Sequence, residues 1–312
     1  MSKWNDIIEE RNKAIAEIQK VDFNIRKNYI EKMSKDTGRD TIVYYSAWQT
    51  KSGSSGALSI TDDDRISFQS VIDDVRMTNE NLDLILHTPG GDLQATKMII
   101  NALRCKYKHI RAFIPNTAMS AGTMMAFACD EIWLSNSSNL GPIDPQLLLP
   151  GGNMMIPANE IGRVIEVAQK DIVAKKNLDY WAYELNKYPA VLKQMSDNSI
   201  KQAEKLTQYW LKTFMFNGDP DADRKASKVT KYFSDYNEHL THGNHITYNE
   251  IISNVPDLKV FLLESNPSLN DLVYGVFYAY DIFNMGNEPM MKIIENQHMV
   301  GRLRNFFGGQ QK

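Results

Sequence analysis

Three short turns along the chain concentrate side chains able to do chemistry: His87-Thr88-Pro89-Gly90-Gly91-Asp92, Met119-Ser120-Ala121-Gly122-Thr123 and Gly141-Pro142-Ile143-Asp144-Pro145. A serine directly after a strand-to-helix turn, at the head of a helix of small residues, exposes its hydroxyl, and the helix N-terminus favours its alkoxide form. Backbone N–H groups from Gly91 and from Ala121, just after the serine, can converge on a developing oxyanion, where acyl transfer gains most. Each motif alone is weak, because Gly-Gly turns are common and a lone Ser120 reads as a plain helix N-cap. Their separation by a single strand-and-helix unit makes the pair specific.

The elements that must carry these turns are legible around them. Leu82, Leu84 and Leu86 alternate with Asp83, Ile85 and His87. A near-continuous apolar run ending at Pro89-Gly90-Gly91 predicts a buried parallel strand feeding a tight turn. Asp92 then caps a helix lined by Leu93, Met98, Ile99, Ile100 and Leu103. His109–Ile114 is the next strand, the helix opening at Ser120 is kept thin by Ala121, Gly122, Ala126 and Ala128, and Glu131–Leu134 is a third strand. This alternation predicts βαβ units, with both glycine turns on the sheet edge where ligands bind. Upstream, Thr41–Tyr45 reads as a strand, and Thr61 with Asp62-Asp63-Asp64 reads as the capped start of a helix whose Ile66, Val71, Ile72 and Val75 face inward.

With 312 residues, 43% of them hydrophobic and 23% charged, the chain has an ample core and little room for disorder. A net charge of -3 predicts no affinity for nucleic acid. Cys105 and Cys129 are too few for a disulfide framework and suit a reducing compartment. No stretch is apolar for long enough to span a membrane, and Asp6, Glu9, Glu10 and Arg11 occupy the place where a secretory signal would be apolar. A cytoplasmic protein is expected. Residues 1–38 form an amphipathic helical arm whose stripe includes Ile7, Ile8, Ile15, Ile18, Phe23 and Ile25. The stripe suits packing on its own domain or a sister subunit, with peripheral membrane contact as the alternative.

The sequence His87-Thr88-Pro89-Gly90-Gly91-Asp92, then Ala118-Met119-Ser120-Ala121-Gly122, Glu131-Ile132-Trp133-Leu134 and Leu140-Gly141-Pro142-Ile143-Asp144-Pro145-Gln146, resembles the Clp/crotonase superfamily. Within it the chain is most similar to the serine dehydrogenase proteinase family, relatives of the Clp protease peptidase subunit and of signal peptide peptidase A. The resemblance implies an α/β fold, a spiral of ββα units with additional N- and C-terminal helices, and a tendency to form homo-oligomers. It implies a serine nucleophile at Ser120 with Gly91 and Ala121 as the oxyanion hole. It also implies a serine, aspartate, histidine order, placing the orienting acid at Asp144 and the base at His242. The Clp peptidase differs here, having its histidine where this chain has Asp144. A lysine base in the manner of signal peptide peptidase A is an alternative, with Lys170, Lys175 and Lys176 as candidates, and His245 is another.

The expected division is an arm over 1–38, a serine protease domain over 39–260 with a helical insertion at about 159–232, and a C-terminal helical extension and loosely ordered tail over 261–312. The expected function is a serine peptidase that hydrolyses peptides or proteins through an acyl-enzyme, needing no cofactor or metal and, as a single chain, no ATP. Two other readings stay open: an acyl-CoA-binding, crotonase-like enzyme and an inactive oligomeric scaffold. His239, His242 and His245 recur at a spacing that suits a zinc site on a helix, but Gly243-Asn244 reads as a turn that separates them.

Overall fold

The computed structural model describes residues 3–52, 55–149, 155–187, 191–285 and 290–305. Helix α1 (Lys3–Thr37) ends where expected, at Gly38, whose φ of +66° lets its N–H reach the Ser34 carbonyl at 2.9 Å. Strand β1 (Asp40–Ser46) is buried throughout. After the short α2 (Ser55–Leu58) comes α3 (Asp62–Ile72), whose inward face is Asp64, Ser67, Phe68, Val71 and Ile72. Two residues expected inside are not: Ile66 is 41% exposed and Val75 90%. Ile66 sits half a turn away from Phe68, and Val75 lies past the end of the helix.

Next come β2 (Asn81–His87), α4 (Leu93–Lys106), β3 (His109–Ile114), β4 (Thr117–Ala118), α5 (Ala121–Phe127), β5 (Glu131–Leu134) and β6 (Asn139–Leu140). On α4, Met98 is exposed while Ile99, Ile100 and Leu103 are buried. A hairpin, β7 (Gln146–Leu148) with β8 (Met155–Pro157), leads into α6 (Ala158–Val173), α7 (Leu178–Leu185) and α8 (Leu192–Trp210), which runs on as a π-turn over Leu211–Met215. Then follow α9 (Ala222–Ser234), α10 (Tyr236–His239), β9 (Ile246–Thr247), α11 (Tyr248–Asn254), β10 (Val260–Leu262), α12 (Pro267–Met285), β11 (Met290–Asn296) and β12 (Gly301–Asn305).

Among the described residues, seven strands form the main sheet in the order β10-β5-β3-β2-β1-β11-β12. The five from β10 to β1 are parallel, with Ile42 beside Leu84, Leu84 beside Ala112 and Ala112 beside Ile132. The apolar run in β2 follows from this: Leu82, Leu84 and Leu86 enter the core on one face, and Ile85 joins Val43, Tyr45 and Phe113 on the other. Asp83 is buried within the strand because Arg39 (2.6 Å) and Arg111 (2.8 Å) pair with it. A small second sheet, β4-β6-β9, lies at the strand ends.

The C-terminal part departs most from expectation. The expected C-terminal helix is present as α12, but Val260–Leu262 ahead of it is a strand, and in place of a loose tail β11 and β12 are antiparallel strands extending the sheet, with β11 beside β1. Lys292 and Glu295 interrupt the apolar pattern of β11, yet both are buried, one against Asp64 and the other against Arg26 of α1. Residues 306–312 of the expected tail lie outside the described residues.

Candidate active site

The glycine turn after β2 and the serine turn after β4 are stitched together. Thr88 N–H donates to Thr117 O (3.1 Å) and Met119 N–H to Thr88 O (3.0 Å). Gly90 has φ +87°, and a Cβ there would lie 2.5 Å from Met119 O and 2.9 Å from the Ala121 nitrogen. Only glycine lets the two turns approach this closely. Gly91, also at positive φ, is backed by Ile60: its N–H donates to Gly90 O at 2.7 Å, and its carbonyl accepts from Asp92 N–H at 2.9 Å.

Ser120 has φ 52° and ψ -118°, a conformation unfavourable for any residue with a Cβ. It stands at the N-cap position of α5, but its hydroxyl makes no capping bond. Capping therefore does not account for the serine. The hydroxyl opens on a cavity of about 570 Å³ lined also by Gly91, Ala121, Met124, Ile143 and His242. Among the described residues, neither the Gly91 nor the Ala121 N–H has a backbone acceptor, so both are free to serve a ligand oxygen. Ser199, Gln202 and Ala203 of α8 form the far wall, a contribution of the helical insertion that nothing in the sequence flagged.

Asp144 and His242 are brought together by β6 and β9, whose Leu140 and Ile246 pair directly. Asp144 follows Leu140 by four residues and His242 precedes Ile246 by four, so both turns leave the ladder on the same side. The Asp144 turn is pinned further: Thr123 Oγ1 bonds both the N–H and carbonyl of Gly141 (2.9 Å each), and Ile143 N–H donates to Phe233 O (2.9 Å). Asp144 is buried, and its Oδ1 lies 2.8 Å from His242 Nδ1. Its Oδ2 has no hydrogen-bond partner among the described residues. The His242 side chain is 26% exposed. A buried carboxylate on Nδ1 leaves Nε2 as the nitrogen able to exchange a proton with a group in the cavity.

The other candidates are elsewhere. His239 is buried, with ring nitrogens 2.7 Å from Tyr232 O and 3.2 Å from Asn244 Nδ2, and His245 is exposed, so the three histidines diverge. Lys170, Lys175 and Lys176 are exposed near the end of α6 and line no part of the Ser120 cavity. His87 is also absent from that cavity. It is buried among Tyr45, Trp48 and Phe277, and burial pulls its pKa down to about 4, opposed by a backbone contact with Thr117. A second cavity of similar size lies between α6, α8 and α9, lined by charged residues such as Arg163, Glu166, Lys193 and Asp197 and by no histidine.

A mainly parallel sheet with a strained serine at the head of a helix, sharing a cavity with Gly91 and Ala121, describes a Clp-like α/β fold. Residues 58–294 match the family of ClpP-like SDH-type serine proteinases, and the chain belongs to that family. It is 29% identical over 190 residues to the uncharacterized protein MJ0137 of Methanocaldococcus jannaschii, a match covering 59% of this chain and 57% of that protein. It is 27% identical over 219 residues to the uncharacterized protein MJ1495 of the same organism, covering 67% and 66%. The chain thus spans less than two thirds of either relative. Among solved structures it is similar to an alanine mutant of the 1510-N membrane-bound stomatin-specific protease, with TM-score 0.41 and 13% identity over 65% of this chain and 74% of that one. A second alanine mutant of that protease, in complex with a substrate peptide, gives TM-score 0.41 and 14% identity over 79% and 82%. Among the described residues, no helix of this chain is long and apolar enough to cross a membrane.

Proposed function

We propose that this chain is a serine peptidase acting through an acyl-enzyme on Ser120. The observation that carries the reading is the buried Asp144 carboxylate bonded to His242 Nδ1 at 2.8 Å, with that histidine and the strained Ser120 lining one cavity. A peptide carbonyl seated there meets the Ser120 hydroxyl, which attacks as His242 Nε2 takes its proton. Asp144 keeps Nδ1 protonated and stabilises the imidazolium that forms. The N–H groups of Gly91 and Ala121 receive the oxyanion. His242 then protonates the departing amine, and water, deprotonated by the same imidazole, releases the acyl group. Among the described residues the Ser120 hydroxyl makes no capping bond, and hydrogen bonds between such a hydroxyl and its base commonly tighten only when substrate binds.

The reading extends to peptides or proteins as substrate, hydrolysed without cofactor or ATP by a homo-oligomer in the cytoplasm. A fluorophosphonate probe tests its chemistry. Labelling of the wild type, its loss in Ser120→Ala and a slowing of at least about 100-fold in His242→Ala are expected. Equal labelling of Ser120→Ala and wild type would overturn it.

A further inference from the structure

Lys292 is a charged side chain in the interior of a strand, 1% exposed, far along the chain from every residue of the cavity. Its ammonium donates to Ser59 O at 2.7 Å and Asp64 Oδ2 at 2.7 Å, and lies 3.5 Å from Thr61 Oγ1. A buried ion pair is a poor device for stability alone, since apolar side chains of similar volume commonly do as well. What this pair secures is the short segment 58–61.

Every anchor of that segment is a hydrogen bond to something rigid. Ser46, the cross-strand neighbour of Lys292, donates its hydroxyl to Leu58 O at 2.7 Å. Lys292 takes the next carbonyl, that of Ser59. Thr61 N–H donates to Asp64 Oδ2 at 2.8 Å, the carboxylate oxygen that Lys292 also holds. Between these fixed points Ile60 uses both of its backbone groups on the glycine turn, one on Gly90 and one on Asp92. Gly90 N–H is taken by Thr88 Oγ1 at 3.2 Å and Asp92 N–H by Ile60 O, so the Gly91 N–H is left for the cavity.

We propose that Lys292, together with Asp64, is a positioning residue that fixes the 58–61 segment and, through Ile60, the direction of the Gly91 N–H. The geometry of the oxyanion site is thereby set from β11, on the far side of β1. This inference rests on the reading of Gly91 as an oxyanion donor.

The test combines hydrogen exchange with kinetics. Lys292→Met/Asp64→Asn removes both charges while keeping volume, and Lys292→Met alone, which leaves the Asp64 carboxylate its bonds from Thr61 N–H and the Tyr44 hydroxyl, is the second variant should the double one not fold. Mass-spectrometric exchange should quicken in peptides covering 58–61 and 90–92 and stay unchanged in β2 and β3. For a peptide substrate, kcat should fall about 10- to 100-fold in either variant, with KM within about threefold of wild type. A folded variant in which either the exchange at 90–92 or kcat stays at the wild-type level overturns the proposal. If the wild type itself takes no fluorophosphonate, the peptidase reading falls separately, and exchange at 90–92 still decides whether Lys292 holds the turn.

Discussion

A side chain at φ 52°, ψ -118° is held at a cost of about 1–3 kcal/mol, which the stitching of its turn to Thr88 must offset. Ser120→Gly is therefore expected to raise stability by about 1 kcal/mol in denaturant unfolding while abolishing probe labelling, whereas Ser120→Ala abolishes labelling without that gain. Equal stability of the two variants would remove the claim of strain. His87 gives a second residue-level prediction. Its folded pKa of about 4 lies below the ordinary value of 6.5, so the unfolded chain takes up the proton first as pH falls. The contribution is complete above pH 6.5, shrinks between 6.5 and 4, and levels off below, by about 3 kcal/mol in all. In His87→Gln, unfolding free energies measured at pH 7 and pH 4.5 should differ less than in wild type. Ser120, Gly91 and Ala121 were legible as residues because local turn chemistry marks them. Asp144 and His242 came only through family resemblance, since nothing local to either residue indicates that β6 and β9 will pair. Lys292 was invisible: a lone lysine in a short apolar run carries no sign that a carboxylate from α3 awaits it.

At the scale of elements, strands buried on both faces announced themselves by continuous apolar runs, and helices by capping signals. Short strands did not. Val260–Leu262 is too brief to separate from the helical pattern that follows, and β11 is disguised by Lys292 and Glu295. The packing of α5 on α9 bears on the turn that carries Asp144. Phe127 and Phe233 meet edge to face at 4.8 Å between centroids, and the Phe233 carbonyl holds the Asp144 turn through Ile143. Phe233→Ala is expected to lose about 3–5 kcal/mol of stability, measured by denaturant unfolding. An effect below about 1 kcal/mol would mean that α9 does not brace this turn.

For the molecule as a whole, α1 divides into two parts. Arg26, Ile30 and Met33 are buried against α12 and β11, with Arg26 paired to Glu295 at 3.2 Å, while Ile18 and Val21 are 60% and 55% exposed. Removing residues 1–22 should leave stability within about 1 kcal/mol of the full chain, because none of residues 7–10 and 12–22 is buried. If α1 joins copies in a homo-oligomer, sedimentation of the shortened chain should show a smaller species. An unchanged sedimentation coefficient would take α1 out of the assembly.

The place of β11 in the sheet also sets a timetable for maturation. Asp64 and Lys292 are 228 positions apart, so synthesis supplies Ser120, Asp144 and His242 well before the ammonium that steadies the glycine turn. Closing so distant a contact is slow. A nascent or prematurely terminated polypeptide ending before Met290 would hold Ser120, Asp144 and His242, the proposed reacting groups, without the Lys292 anchor of the glycine turn. If the proposed roles hold, such fragments should take up fluorophosphonate more slowly than the full chain.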